Sequence, residues 1–526
     1  MTTERDKLDR RSFMGAALGA AAGAASLISS GAHAADAPAA ASGPSMGSDG
    51  APPASGPRLY RVEADLRDCE VEGKIPTDLN GAFYRVGPDF QYPMHPGNIP
   101  FDGEGHVGMF RFRNGRVDFR SRFVRNERWL AQDKAGRALF PMYRNPTMDD
   151  PSVKGLSRST ANTHIINHRN LLLALKEDSP PDALDLLTLE TVQPRYTFDG
   201  QLPSETFTAH PKVDSETGDI IAFGYEAKGF GTDDVSVFQI TPAGKIVWNA
   251  WIKVPYVGLL HDFAVTQKHI VFYVIPLAFD EEQIKRGGIH WSWDGSKPTY
   301  FGIMRRGGDG KDIRWIKGPT RSATHVMGAF DDGNRVYVDV EMSESNPFPF
   351  MPMRGGEAWD PIAGASRITR LSVDMSRRNP REYGIEVMYP HHLGALPRQD
   401  DRYNTMPYRY GFLPCPDPNP KDPSKRPSAC YARFDHQTRK TQLFNAGPNT
   451  TLAECCFAPR SKDAPEGSGY LMGVASRLDE GGRADLVILD AEHIDEGPIA
   501  TVKLPIRIAG QIHGWWVPEE QLPTEA

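Results

Sequence analysis

From about Leu59 onward the chain alternates short apolar runs with clusters of turn-forming residues. Ile246–Val254, Ile270–Ile275, Arg335–Val340 and Leu486–Leu489 are rich in β-branched and aromatic residues and are each four to nine residues long. That composition fits a pleated, half-buried surface and predicts strands. Between such runs stand Asn114-Gly115, Asp214–Gly218 and Asp331–Asn334, all turn formers. No long stretch repeats its apolar residues at 3.6-residue spacing, so helices should be few and short. Many short strands joined by turns predict an all-β sandwich, barrel or propeller. No linker divides the chain after residue 58, so one propeller accounts for the pattern more simply than several sandwiches. Seven blades would take roughly 67 residues each, long for four strands, so the loops must be generous. The pattern alone does not set the number of blades.

Composition narrows the functional classes. The chain has 526 residues, of which 50 are Gly and 44 are Pro. That share exceeds the average but falls short of low-complexity disorder. The formal charge is −7 and no segment concentrates Lys and Arg, which argues against nucleic-acid binding. The body contains no apolar run long enough for a stable membrane span. Five Cys cannot make a disulfide scaffold. Free thiols are expected, with Cys415 and Cys430, assigned to one Pro-rich loop, the only pair placed to bridge in an oxidising compartment. Cys455 and Cys456 are expected to be buried.

The amino terminus is read as an address. Arg10-Arg11-Ser12-Phe13-Met14 precedes an Ala/Gly-rich, weakly apolar run from Gly15 to Ile28, and Ala32-His33-Ala34 resembles a cleavage site. Residues 1–34 therefore resemble a twin-arginine signal. This predicts export by the twin-arginine machinery to the periplasm. Cargo of that pathway crosses the membrane folded, often with a cofactor loaded, which favours a metalloprotein. Residues 35–58, rich in Ala, Pro, Ser and Gly, read as a disordered linker. Residues 59–526 are then one propeller domain.

Among 15 His, four share one local setting, at the head of apolar strands after or within a small-residue turn. They are His210, His261, His325 and His513. The first two gaps, 51 and 64 residues, resemble the spacing of neighbouring blades, and the third is about three blades long. In a propeller the innermost strand of each blade lines the central axis. One His per blade at the same level would converge on a point. Neutral imidazoles suit Fe, Cu and Zn. Any one of these His, taken alone, reads more readily as a structural or surface side chain than as a ligand; the shared setting is what points to a metal.

The segments around these residues resemble the carotenoid cleavage oxygenase family over nearly all of residues 60–520. They stand as Phe83–Pro88, Phe101–His106, Ala161–Thr163, Leu173–Glu177, Phe207–Pro211, Leu260–Phe263, Glu454–Arg460 and Gln511–Gly514. The resemblance implies a seven-bladed β-propeller with Fe(II) on its axis, held by His210, His261, His325 and His513. Long loops are expected to form a cap over the substrate. Within the family the chain looks most like the bacterial lignostilbene dioxygenases. In that branch a Phe, a Tyr and a Lys hold the hydroxylated aryl ring, and the matching residues are Phe101, Tyr143 and Lys176. The family also supplies three Glu that accept from iron-bound His. Glu177 and Glu454 match two. The third ordinarily stands two residues before a Pro-Arg-x-Asp run, here Pro397–Asp400, and that position is Ala395. One His is therefore expected to lack its carboxylate, unless water, a backbone carbonyl or a shifted acid such as Glu386 replaces it.

What the resemblance implies for function is dioxygenase cleavage of the C=C bond of a 4-hydroxylated stilbene by O2, giving two aromatic aldehydes. Lys176 as a cation and Tyr143 as a donor would hold the phenol oxygen as the phenolate, and Phe101 would wall the ring. Side-chain cleavage of an isoeugenol-type phenylpropene stays open, as does cleavage of a carotenoid or apocarotenoid, for which Tyr143 and Lys176 would be idle. Outside this chemistry stand a propeller that has lost activity, supported by Ala395, and a Ca²⁺-dependent propeller hydrolase, which would want oxygen ligands on the axis. The sequence leaves an oligomer open.

Overall fold

The computed structural model describes residues 61–377, 382–422 and 424–524. The expected signal and linker, residues 1–58, lie outside them. Seven antiparallel sheets of four or five strands are arranged as the blades of a propeller. Blade 1 contains Gly81–Asp89, Glu104–Arg113 and Arg116–Phe123. Its outer edge takes Ala64–Leu66, and its inner edge takes His513–Pro518 from the far end of the chain. Blades 2 to 7 begin with His164–His168, Lys212–Val213, Phe263–Val265, Ser322–Asp332, Arg398–Gln399 and Thr450–Pro459 in turn. Glu70–Gly73 adds a fifth strand to blade 7. Both ends of the domain are thus stitched into blades 1 and 7, which closes the ring.

The predicted strands are present with shifted ends, as Ile246–Lys253, His269–Val274, Arg335–Ser343 and Arg483–Asp490. Position within the blade explains their patterns. His269–Val274 is a central strand, covered on both faces, and all but its first residue are buried. Ile246–Lys253 is an outer-edge strand and alternates half-buried or buried positions with exposed ones. Asn114 and Gly115 form the hairpin turn at φ of 51° and 78°, the left-handed conformation that such a turn needs.

Apolar clusters fill the spaces between neighbouring sheets. One joins blades 7 and 1 through Phe110, Phe119, Met472 and Ile488. Another spans blades 3 to 5 through Phe223, Val271 and Val338. Each sheet thus buries both faces against its neighbours, and their first strands meet round the centre, blade 1 against blades 2 and 7 and blade 5 against blades 4 and 6. Among the described residues there are two α-helices, Glu127–Ala135 and Glu281–Lys285. Both lie in the long excursions between strands. The first is capped by the Asn126 side chain, which accepts from Trp129 N, and ends at Gly136 in the left-handed conformation. Among the described residues no helix is long and apolar enough to cross a membrane.

Cys415 and Cys430 differ from expectation in setting. They do not share a loop: they face each other on adjacent strands of blade 6, and the Pro-rich segment is the connection between those strands. Both are free thiols, as are Cys69, Cys455 and Cys456.

Candidate metal centre and its cavity

The four predicted histidines come together. His210 and His261 stand just ahead of the first strands of blades 3 and 4, His325 lies within that of blade 5, and His513 opens the inner strand of blade 1. One ligand atom from each lies within 4.8 Å of the others. Nε2 of His261 is 3.1 Å from Nε2 of His210 and 2.9 Å from Nε2 of His325. One of these histidines and one neighbouring glutamate depend on irregular pairing. The register of the blade 5 strand shifts between Ala323 and Val326, and that of the blade 7 strand between Leu452 and Cys455. The first bulge carries His325 and the second carries Glu454. A bulge re-aims a side chain that regular alternation would send elsewhere.

Three of the four rings rest on a carboxylate. His261 Nδ1 is 2.6 Å from Glu177 Oε1, and His513 Nδ1 is 2.8 Å from Glu454 Oε1. Glu454 also accepts from Gly514 N at 2.9 Å. The buried guanidinium of Arg85 ties the same segments together, donating to the carbonyls of Glu454 and Gln511. The third pair corrects the sequence reading. His325 Nδ1 is 3.1 Å from Glu341 Oε2, on the second strand of blade 5. His325 therefore has its carboxylate although position 395 is Ala. Glu386 is not its source. It sits on the exposed outer strand of the same blade and pairs with Arg439 at 2.7 Å. A fifth ring, His164, was not read from the sequence. Its centroid is 5.5 Å from that of His210, and its Nδ1 is 2.9 Å from the carbonyl of Ala209.

The donor set fits a metal ion. A ring whose Nδ1–H donates to a carboxylate presents a bare lone pair at Nε2. His261 and His325 both do so, and their Nε2 atoms lie 2.9 Å apart. Two lone pairs at that distance repel, and a cation between them removes the conflict. His513 Nε2 is buried without a hydrogen-bond partner. Burial, reinforced by the neighbouring imidazoles, holds His210 and His513 far below the ordinary histidine range, in the neutral form that ligates metals. For His325 burial acts downward too, but Glu341 outweighs it and raises the ring above its ordinary value. Burial acts to raise the Glu177 carboxyl, yet His261 and Lys176 hold it well below the carboxylate range.

An apolar cavity of about 90 Å³ opens on His261 and His325. Phe101, Tyr143, Thr163 and Lys176 line one part of it, and Gly364, Ala365, Ser366 and Ala395 another. The loops that cover it supply Phe101, Tyr143, Phe348 and Met351, so the predicted cap is present. Lys176 is 4% exposed. Its Nζ makes only long contacts, 3.3 Å to Asn162 Oδ1 and 3.4 Å to Thr163 Oγ1, and lies 4.0 Å from Glu177. It stands 5.6 Å from the Tyr143 ring centroid and 6.0 Å from that of Phe101. Burial pushes the Tyr143 hydroxyl well above its ordinary value, and Glu177 adds to the effect, so it stays protonated as a donor. The turn after Tyr143 is held from below. Arg144, at φ 46°, donates to Glu226 and to the Tyr225 hydroxyl, and Glu226 also pairs with His290. Gly105 lets the Ala161–Thr163 segment approach. A Cβ there would meet the Ala161 carbonyl oxygen at 2.2 Å. A second, polar space of about 60 Å³ borders His210, His325 and His513 and is lined by Lys212, Asp262, Arg398 and Asp401.

Residues 58–518 match the family model described as retinal pigment epithelial membrane protein, RPE65. The chain is 39% identical over 480 residues to lignostilbene-α,β-dioxygenase isozyme III of Sphingomonas paucimobilis, covering 89% of this chain and 97% of that one. It is likewise 39% identical over 461 residues to the isoeugenol monooxygenase of Pseudomonas putida, covering 87% and 95%. Among solved structures, the lignostilbene dioxygenase of Pseudomonas brassicacearum superposes with a TM-score of 0.83 at 39% identity, over 88% of this chain and 97% of that one. An apocarotenoid oxygenase of Synechocystis, at 24% identity and a TM-score of 0.75 over 88% and 97%, shares the fold.

Proposed function

The chain belongs to the RPE65 and carotenoid cleavage oxygenase family and is a dioxygenase of that class, and from that premise we propose that it cleaves the central double bond of 4-hydroxylated stilbenes. In this reaction the C=C bond breaks, each alkene carbon takes one atom of O2, and two aromatic aldehydes leave. The observation that carries the reading is Lys176, a lysine 4% exposed that lines a mainly apolar cavity beside the histidine cluster. Burying a cation costs several kcal/mol unless an anion meets it. Glu177, 4.0 Å away, also serves His261. A substrate phenolate is the further partner. A carotenoid offers no such group.

His210, His261, His325 and His513 would hold Fe(II) through Nε2. Bound there, iron would supply the chemistry that binds and activates O2. The rest is the work of side chains around the substrate. Phe101 packs against the phenol ring. The Lys176 ammonium and the Tyr143 hydroxyl meet the phenol oxygen. An opposite charge and a hydrogen bond to the anion both lower the phenol's pKa. The phenolate so formed pushes electron density through the ring to the alkene, which becomes more reactive towards an oxidant. The apolar walls exclude water from the scissile carbons. No side-chain acid or base is required there. The amino-terminal pattern adds export to the periplasm through the twin-arginine pathway to this reading.

The test is a substrate pair. The Fe(II)-loaded protein is given trans-4-hydroxystilbene and trans-4-methoxystilbene in air, and aldehydes are resolved by chromatography. Paired aldehydes are expected from the first alone. Equal cleavage of the methoxy compound would remove the phenolate from the account. Cleavage of a 4-hydroxyphenylpropene but of no stilbene would move the reading to single-ring substrates.

A further inference from the structure

We propose that in this chain the third histidine-bound carboxylate has been transferred from position 395 to position 341, and that Glu341 is the positioning residue of His325. The proposal rests on the metal reading of the four histidines and not on the choice of substrate.

Glu341 is buried on the strand Arg335–Ser343, hydrogen-bonded to the strand that carries His325. Three groups meet its carboxylate. Oε2 lies 3.1 Å from His325 Nδ1 and accepts from Leu396 N at 2.7 Å. Oε1 accepts from the Thr324 hydroxyl. The carboxylate therefore has one orientation, and through it His325 has one tautomer, with hydrogen on Nδ1 and the lone pair of Nε2 facing the other rings.

The loop at 395 is shaped around this arrangement. Leu396 stands at φ +62°, a left-handed conformation that costs a side-chain-bearing residue of order 1–3 kcal/mol unless its surroundings fix it. Its N–H is the group that reaches Glu341. A loop built to offer a side-chain acceptor to His325 here offers a backbone donor to the acid that replaced it. Ala395 is two residues ahead of Pro397, where the family resemblance puts the carboxylate, and it lines the same cavity as Glu341 and His325. The two positions thus approach one ring from two neighbouring segments of blade 5 and its exit loop. Only one needs to be acidic. With Ala at 395 and Gly at 394, the cavity wall beside them is made of small residues.

The experiment measures metal affinity in the absence of substrate. Full-length wild type, E341A, E341Q and the double variant E341A/A395E are stripped of metal, and Co(II) dissociation constants are obtained by competition with a chromophoric chelator. Melting temperatures are recorded alongside. Loss of a carboxylate behind a metal-bound imidazole costs about 10–100-fold in affinity. E341A should fall in that range. E341Q should lie between it and wild type, because an amide oxygen still accepts from Nδ1–H. E341A/A395E should return to within about threefold of wild type. Wild-type Co(II) affinity in E341A would overturn the proposal. So would a folded double variant no tighter than E341A. If E341A does not fold, E341Q decides, and wild-type affinity there would overturn the proposal too. Failure on these measurements would leave stilbene cleavage standing, and failure of stilbene cleavage would leave them unaffected.

Discussion

Replacing Lys176 with Met removes the buried charge while keeping the length and apolar character of the side chain. Its effect can be worked from the geometry. A phenolate oxygen about 4 Å from the ammonium would gain on the order of 4 kcal/mol at an effective dielectric of 20. Glu177, 4.0 Å from the same ammonium, already uses part of that field. A net shift of about two pKa units, inside the usual range for an opposite charge at this distance, takes a phenol from about 10 to about 8. At pH 7.5 roughly a quarter of bound substrate is then phenolate in the wild type and about 0.3% in K176M, a loss of about 75-fold in kcat/KM. At pH 9.5 the same arithmetic leaves a loss of only about fourfold. The assay follows disappearance of trans-4-hydroxystilbene absorbance by the Fe(II)-loaded enzymes between pH 6.5 and 9.5. Recovery of K176M with rising pH is the expected signature. A loss that stays constant across the pH range, or no loss at pH 7.5, would refute phenolate stabilisation by Lys176.

Other predictions follow from the same structure. Y143F removes one hydrogen bond to a charged group, about 1.5–3 kcal/mol, so kcat/KM for a 4-hydroxystilbene should fall roughly 10- to 150-fold with iron content unchanged. Unchanged kinetics would exclude Tyr143 from the phenol site. Burial holds His106 at a pKa of about 4, below its ordinary 6.5. The unfolded chain therefore binds more protons between those values, and stability is lost as pH falls through that window. From pH 7.5 to 5 this one group costs about 2 kcal/mol, so urea midpoints should drop less steeply with pH in H106L than in wild type. Identical slopes would mean that His106 is not buried neutral. Changing Arg10 and Arg11 to Lys should abolish export and leave the chain in the cytoplasm on cell fractionation. Periplasmic recovery of that variant would count against the twin-arginine reading.

The parts of the site that were legible in the sequence are those fixed by local order along the chain. Each of the four His lies just ahead of its inner strand or within that strand's first four residues, so four similar contexts mark four blades. His210, His261 and His325 fall in consecutive blades, 3 to 5, and His513 comes after blades 6 and 7. Lys176 and Glu177 were readable through the family resemblance, because they are consecutive residues just after the strand Leu171–Leu175 and so keep one local motif. Glu341 was not readable. Its link to His325 depends on strand pairing and on a bulge at residues 323–326, and neither leaves a local motif. Glu386, the shifted acid that the sequence offered as a replacement, belongs to the exposed outer strand instead. The Arg144–Glu226–His290 cluster beneath Tyr143 was hidden for the same reason, since its members come from three separate segments. Cys415 and Cys430 read as loop neighbours because the Pro-rich stretch between them hides the flanking strands on which they face each other.

We propose that this propeller, when loaded with Fe(II), inserts both atoms of one O2 molecule across the stilbene double bond. The most direct measurement of this is cleavage of trans-4-hydroxystilbene by the Fe(II)-loaded protein under ¹⁸O2, with the aldehydes reduced in situ to prevent exchange with water and then weighed by mass spectrometry. The account predicts one ¹⁸O in each of the two products and no cleavage by metal-stripped protein. Label in only one product, or equal turnover without iron, would contradict it.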